Sequence, residues 1–334
     1  MTKLKNDGTS FGLAFGVSRR ESLDDIAQFV RQVEELGFNS VWVQDNPLTT
    51  KDPYVAMGAI AARTDSIRFG PGVSSGAIRH PAVIANAILT LDAEAPGRVF
   101  LGLGSGGPSL LAPLGVRAKR IAAFREELES LHELLASRPA GEHGYSIRSL
   151  SDRRVPMHVA ASGDLNLAAC GRFADGVLLA GPVVKTRLEG HKGKFLDAAE
   201  EAGRDAGTLE VRLLTSMFVD SEAGRGIDMV RPFVASWVHA GQLKAGQDVD
   251  EKFAEEIGEI EGLHDPQRHL ARGADSEAVS DDLAQQVAIV GSEAECRDRI
   301  REILELRPVE MVFTVPAKNR MATVQAMALV VSSL

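Results

Sequence analysis

Cysteine is scarce: Cys170 and Cys296 are the only two in 334 residues, far apart and both in helical context. That excludes a disulfide framework and a thiolate metal site, and a reducing compartment fits. Long apolar runs are missing too. No stretch of about 18 or more apolar residues occurs, so no membrane span is expected. The first ten residues, MTKLKNDGTS, are polar and lack the apolar core of a signal peptide, so a cytoplasmic location is expected. Positive charge is in deficit. Lys plus Arg number 37 against 46 Asp plus Glu, a formal net charge of -9, and no dense basic run offsets it. Nucleic acid is therefore not the expected partner.

What is present is ordinary for a globular enzyme-sized chain with a large core: 44% hydrophobic and 25% charged residues. Short apolar runs alternate with amphipathic segments almost throughout. Strands are expected at 11–17, 40–43, 67–73, 98–103, 155–161, 176–180, 209–219 and 309–315. Helices fall between them. The first, 22–36, carries Ser22 as N-cap, Asp25 at its third position and Gly37 as its stop. Further helices are expected from Asp52-Pro53 to Arg63, over 117–137, 164–173 and 185–203, and over 321–334. Eight strand–helix units point to an α/β fold, a (β/α)8 TIM barrel. A doubly wound sheet is the alternative, because the same alternation serves both.

One single domain over 1–334 is expected, with residues 221–282 breaking the rhythm. This stretch has helical patches at 227–240 and 249–257, and reads as an insertion between strand 7 and strand 8, a lid over the barrel mouth. A peripheral or dimer-forming excursion is the other option. Residues 139–154, rich in Gly and Arg, read as a surface hairpin.

The densest signal runs from Arg79 to Gly106. Pro81 occupies a first helical position, and Val83, Ile84, Ala87, Ile88 and Leu91 follow at helical spacing. Pro96-Gly97 marks the turn, and a strand buried on both faces follows. It opens into Gly104-Ser105-Gly106-Gly107, where the backbone can present N–H groups to an anion and Ser105 adds a hydroxyl. Glycines at the carboxyl end of a strand are where an α/β protein places a ligand. Gly181-Pro182 follows the sixth strand in the same way, with Lys185 and Arg187 just beyond as basic groups able to meet a phosphate. Arg19 at the end of the first strand is either an anion-binding group or a solvated rim charge. His80 reads as a loop-fixing residue, His158 as a strand histidine pointing into the barrel. His239, His264 and His269 are not at metal-ligand spacing, and no metal is expected. Trp42 and Trp237 are candidates to line the mouth, although Trp42 sits in an apolar strand where core is the default.

Leu36-Gly37-Phe38, the run from Ser40 to Asp45, the whole of 79–106, Pro156 with Ala160-Ala161-Ser162-Gly163, and the run from Ala174 to Pro182 together resemble the luciferase-like superfamily of flavin- and deazaflavin-dependent oxidoreductases. Within it the similarity is to coenzyme F420-dependent enzymes such as methylenetetrahydromethanopterin reductase. The resemblance implies a barrel with coenzyme F420, or alternatively FMN, at the carboxyl ends of its strands. It implies cofactor contacts at Asp45, Gly72, Val73, Ser74, Gly104, Ser105, Gly106, Ser162, Gly163, Ala180, Gly181 and Pro182, with a bulge and a non-prolyl cis peptide at Gly72-Val73. Asp45 and Asn46 are the candidate catalytic residues. This chain departs from the family at two places. Asn46 stands where deazaflavin-dependent relatives often carry His, and Gly107 where others carry Glu. An amide hydrogen-bonds a ring carbonyl but exchanges no proton near neutral pH. The implied function is hydride transfer between the deazaflavin and a small-molecule substrate, in a homodimer or homotetramer. An FMN-dependent monooxygenase and a non-catalytic binding or partner subunit are the alternatives.

Overall fold

A computed structural model describes residues 3–6, 8–148, 153–219, 225–263 and 273–334. Eight strands form the barrel: β1 (Thr9–Phe15), β2 (Ser40–Val43), β3 (Arg68–Pro71), β4 (Leu101–Gly104), β5 (Met157–Ala160), β6 (Gly176–Ala180), β7 (Glu210–Val219) and β8 (Glu310–Thr314). They are hydrogen-bonded in the order β3-β2-β1-β8-β7-β6-β5-β4, all parallel. The seam between β3 and β4 is closed by single bridges. Phe69 N–H donates to Arg98 O at 2.9 Å, Ser74 N–H to Gly102 O at 2.9 Å, and Gly104 N–H to Ser74 O at 2.8 Å. A closed barrel has no free edge, which rules out the doubly wound alternative.

The helices begin where their caps sit. Ser22 and Asp25 form a capping box at the head of Leu23–Glu35, and Asp52 caps Pro53–Arg63 by accepting from Tyr54 and Val55 N–H. Each such cap contributes about 1 kcal/mol. His80 fixes the start of Pro81–Glu94 by accepting the Ala82 N–H at Nδ1, 3.2 Å away. The helix expected from residue 117 begins only at Ile121. The first strand starts and ends two residues earlier than its apolar run, because Ser10 N–H is already bonded to Val309 O. Residues 140 and 145 pair antiparallel in a short turn at the start of the hairpin expected over 139–154, of which 149–152 lie outside the described residues.

Strand residues alternate between two cores. Phe11, Leu13, Phe15, Val41, Val43, Phe69, Leu101, Leu103, Met157 and Val159 face outward to the helices and form the main cluster. Ala14, Trp42, Phe100, Leu178 and Val312 face inward and form the plug of the barrel. Glycines on neighbouring strands make room for this bulk. A Cβ on Gly70 would lie 2.5 Å from the Phe100 ring, and one on Gly102 would lie 2.9 Å from the Trp42 ring. Below the plug lies a charged layer. Arg212 donates from Nε to Glu310 at 3.1 Å and from Nη1 to Glu210 and to His158 Nδ1. His158, fully buried, therefore carries its proton on Nε2. That atom is 3.7 Å from Glu210, beyond hydrogen-bond reach. Burial, with the charges of Arg212 and Arg68, holds this imidazole neutral well below its ordinary range, so the contact is not an ion pair.

After β7 the chain builds helices Arg225–His239, Ala254–Gly262, Ala274–Glu277 and Asp281–Val287 around an apolar cluster of their own, which includes Val234, Trp237, Val238, Ile260 and Leu283. Trp237 thus belongs to this cluster and Trp42 to the barrel plug. Neither lines the mouth as a free surface. A three-residue strand, Ile289–Gly291, then pairs with the end of β7. Among the described residues no helix is long and apolar enough to cross a membrane.

Candidate functional site

The inward positions nearest the carboxyl ends of β1 to β8 are Gly16, Gln44, Gly72, Gly104, Ala160, Ala180, Ser216 and Thr314, by strand alternation and register. Only Gln44 is larger than threonine, and none is titratable near neutral pH. The barrel is therefore filled below and hollowed above. Val73 packs over the plug at the edge of this hollow, with Ala160 and Leu214. Its Cγ2 lies 2.9 Å from where a Cβ on Gly104 would stand.

The β3 loop that carries Val73 is held from outside the hollow. The Gly72-Val73 peptide is cis. Ser74, fully buried, donates to Asp45 Oδ2 at 2.7 Å and accepts from Tyr54 Oη at 3.0 Å. Arg79 grips Asp45 with Nε at 3.0 Å and Nη2 at 3.2 Å, reaches Asp52 with Nη2 at 2.8 Å, and lies over the Tyr54 ring. Burial works to raise the Asp52 carboxyl. Arg79 and the Val55 and Tyr54 N–H groups outweigh it and hold Asp52 below the usual carboxylate range. Burial pushes the Tyr54 hydroxyl well up, so it remains a donor. Further along the loop, Gly76 N–H donates to buried Glu127 at 2.9 Å, and Glu127 also accepts from Lys119 at 2.7 Å.

Asp45 is 4% exposed and both its oxygens are taken within the protein. It shapes the loop. Asn46, half-buried, accepts the Leu48 N–H on Oδ1 at 3.1 Å, which leaves its NH2 group available to a ring oxygen. Arg19 ties the same loop by donating to Pro47 O and Leu48 O at 3.2 and 2.8 Å. Gly104, Ser105 and Gly106 continue the rim. Gly106 has φ of 84°, open only to glycine at low cost, and a Cβ there would also crowd Ser75 and Leu111. Ser162 and Gly163 are exposed at the head of helix Asp164–Phe173, which no side chain caps.

Across the rim, Gly181 adopts φ of 120° and donates its N–H to Leu214 O at 3.0 Å. A Cβ at Gly181 would lie 2.5 Å from Gln242 Oε1, so the helical insertion reaches the strand-end loops here. Val183 N–H donates to Val287 O at 2.8 Å beside it. Pro182 is followed by helix Lys185–Glu201. The structure thus gathers Asp45, Gly72, Val73, Ser74, Gly104 and Gly106 on one side of the rim. Ala180, Gly181 and Pro182 stand on the other, with Ser162 and Gly163 between them by strand order. A cavity of about 290 Å³ lined by Lys185, Arg299, Glu302 and Glu305 opens elsewhere, between helices.

Sequence reasoning missed the brace of Asp52, Tyr54, Arg79 and Glu127. Asp52 was legible only as a helix cap. Among the described residues no His, Cys, Asp and Glu side chains converge as a metal site would, and His264 and His269 lie outside those residues. His239 faces Asp275 at 3.1 Å.

The chain is 26% identical over 320 residues to a 5,10-methylenetetrahydromethanopterin reductase of Methanopyrus kandleri, covering 87% of this chain and 88% of that protein. It is 28% identical over 316 residues to an F420-dependent glucose-6-phosphate dehydrogenase of Nakamurella multipartita, covering 89% and 88%. Its fold is similar to an F420-dependent secondary alcohol dehydrogenase solved with an F420–acetone adduct, with a TM-score of 0.78 at 19% identity, over 96% of this chain and 98% of that one. The family model described as luciferase-like monooxygenase matches residues 8–310. On that match the chain belongs to the luciferase-like monooxygenase family.

Proposed function

We propose that the protein is a coenzyme F420-dependent oxidoreductase that moves a hydride between that cofactor and a small organic substrate under the helical insertion. The observation that carries this is the hollowed upper layer of the barrel, floored by Trp42 and Phe100, edged by Val73 and rimmed by glycines. It fits a flat ring that needs backbone-close walls. The relative named as an F420-dependent glucose-6-phosphate dehydrogenase supports the deazaflavin over other cofactors.

When bound, the deazaflavin supplies a ring carbon that gives or takes a hydride. The chain's own residues do the rest. Val73 and the plug would support the ring, the Asn46 amide and Ser105 would orient its polar groups, and the insertion would exclude water. The upper layer carries no titratable side chain, so the protein holds no proton there for delivery to substrate. The reaction that suits such a site is one whose proton comes from substrate or solvent.

FMN is the second reading, favoured by the basic Arg187 after β6, whereas Lys185 is already paired with Glu305 at 2.6 Å. Fluorescence titration separates the two: micromolar binding of coenzyme F420 with weak or no binding of FMN is expected, and the reverse would assign the monooxygenase reading. Binding of neither would leave a non-catalytic partner subunit. We also propose a homodimer or homotetramer, supported by exposed Val55 and Val83 on adjacent helices, to be checked by light scattering.

A further inference from the structure

The hollow above the plug has two unlike sides. On β3 to β6 its inward positions are Gly72, Gly104, Ala160 and Ala180, with Val73 at the edge, and none of these side chains carries a polar atom. On β2, β8 and β7 they are Gln44, Thr314 and Ser216. The strands run β2-β1-β8-β7, so Gly16 of β1 lies between Gln44 and Thr314 and offers no side chain to divide them. A Cβ on Gly16 would stand 2.7 Å from Gln44 Oε1, so the Gln44 amide leans over that glycine. In the closed barrel β7 is four strands from β3 in either direction, and the polar arc therefore faces Val73 across the mouth.

Thr314 stands two residues beyond Val312 of the plug and is in register with Ser216. Their hydroxyls are 2.9 Å apart. Ser216 is fully buried and Thr314 half-buried. A hydroxyl has one proton to give and two lone pairs to offer. Were Thr314 the donor, the Ser216 O–H would be left buried without an acceptor, which is costly. The favoured arrangement has Ser216 donating, and it leaves the Thr314 O–H for the hollow. The Gln44 side chain likewise has no hydrogen-bond partner among the described residues. A cup with neutral hydrogen-bonding groups on one side, apolar walls on the other and no charge suits an uncharged molecule that is polar at one end.

We propose that Gln44 and Thr314, with Ser216 behind it, form a recognition wall that takes a hydroxyl or carbonyl oxygen of an uncharged substrate. That the oxygen is the substrate's and not the cofactor's rests on the function proposed above; the wall itself rests on the geometry. Thr314 donates to that oxygen, and Gln44, which both donates and accepts, suits a hydroxyl as well as a carbonyl.

The test uses the full chain, coenzyme F420, and three probes that share one ring: cyclohexanol, cyclohexylammonium and cyclohexanecarboxylate. Binding to the coenzyme-loaded protein is read from the deazaflavin fluorescence, and binding to the protein alone from its melting temperature. Cyclohexanol is expected to bind at millimolar concentration, and both charged probes about tenfold more weakly or worse. Thr314→Val is expected to weaken cyclohexanol about three- to tenfold and Thr314→Ser to restore most of the loss, while both variants bind coenzyme F420 as the unmodified protein does. Should Thr314→Val not fold, Gln44→Met carries the same comparison, with the same loss expected. If coenzyme F420 does not bind, but cyclohexanol raises the melting temperature of the unmodified protein and not of Thr314→Val, the wall stands and the proposed function falls. A loss of coenzyme F420 affinity in Thr314→Val equal to its loss of cyclohexanol affinity would assign the wall to the cofactor and overturn the proposal. Equal cyclohexanol binding by variant and unmodified protein, charged probes that bind as well as cyclohexanol, or no cyclohexanol binding at all would overturn it too.

Discussion

Arg79 holds Asp45 by two parallel hydrogen bonds, 3.0 Å from Nε and 3.2 Å from Nη2, although the two residues are 34 positions apart. The Asp45 side chain is 1% exposed and that of Arg79 is 23% exposed. Arg79→Met would strand a buried carboxylate. The expected loss is about 3 kcal/mol of unfolding free energy, read by urea denaturation. Arg79→Lys is expected to recover only part of it, because one ammonium cannot make both bonds.

Glu127 anchors the same loop from the far side, through Gly76 N–H and Lys119. Glu127→Leu leaves that N–H without its acceptor. A stability loss of about 2 kcal/mol is expected, together with weaker cofactor binding, since Ser74 and Arg79 flank the freed segment. A variant that loses stability but binds cofactor unchanged would show that the loop does not shape the ring site.

Gly104 stands against Val73 with no room for a larger residue. Gly104→Val is expected to raise the dissociation constant for the ring by about tenfold or more, as overpacking costs about 1–3 kcal/mol and here falls within the hollow. Fluorescence titration reads it, with circular dichroism as the check that the barrel persists.

His191 is pushed down to about 4 by burial, against about 6.5 in the unfolded chain. The folded state therefore binds fewer protons than the unfolded one in between. Its stabilising contribution is complete above about pH 6.5 and is lost as pH falls toward 4. Melting temperature is expected to fall from pH 7 to pH 5, and to fall less in His191→Gln. His158, also held neutral, acts in the same direction and remains in both proteins.

Asn46 presents an amide where a histidine would titrate. Asn46→His is expected to add a pH dependence near 6.5 to cofactor affinity that the unmodified protein lacks, relative to the cofactor's own titration. Parallel binding curves at pH 5.5 and 7.5 for both proteins decide it.

Much of this architecture was legible from local signals. Ser40–Val43 and Gly176–Ala180 stand where their apolar runs placed them. The helices opening at Pro53 and Pro81 start at their expected residues, because caps and prolines act within one turn. The strand Ile289–Gly291 was not legible, since three residues carry no period and its pairing with Met217–Val219 is tertiary. The brace was hidden for the same reason. Asp45, Asp52 and Tyr54 follow β2, and Ser74 and Arg79 follow β3, so they meet only when the two strands are side by side. The glycines of the rim were visible as a motif. That Gly70 and Gly102 instead serve the plug follows from register, which no single segment encodes.

The vertical grading of the barrel, ionic at its base, aromatic in its middle and vacant at its top, divides the labour of the polypeptide along one axis. The ionic layer lies beneath Trp42 and Phe100, whose ring centroids are 4.3 Å apart, while the insertion rests on an apolar nucleus of its own. Selectivity can thus drift by exchange of insertion side chains without disturbing the floor on which a ring would lie. A single enlargement among the diminutive uppermost residues, by contrast, would narrow the cup.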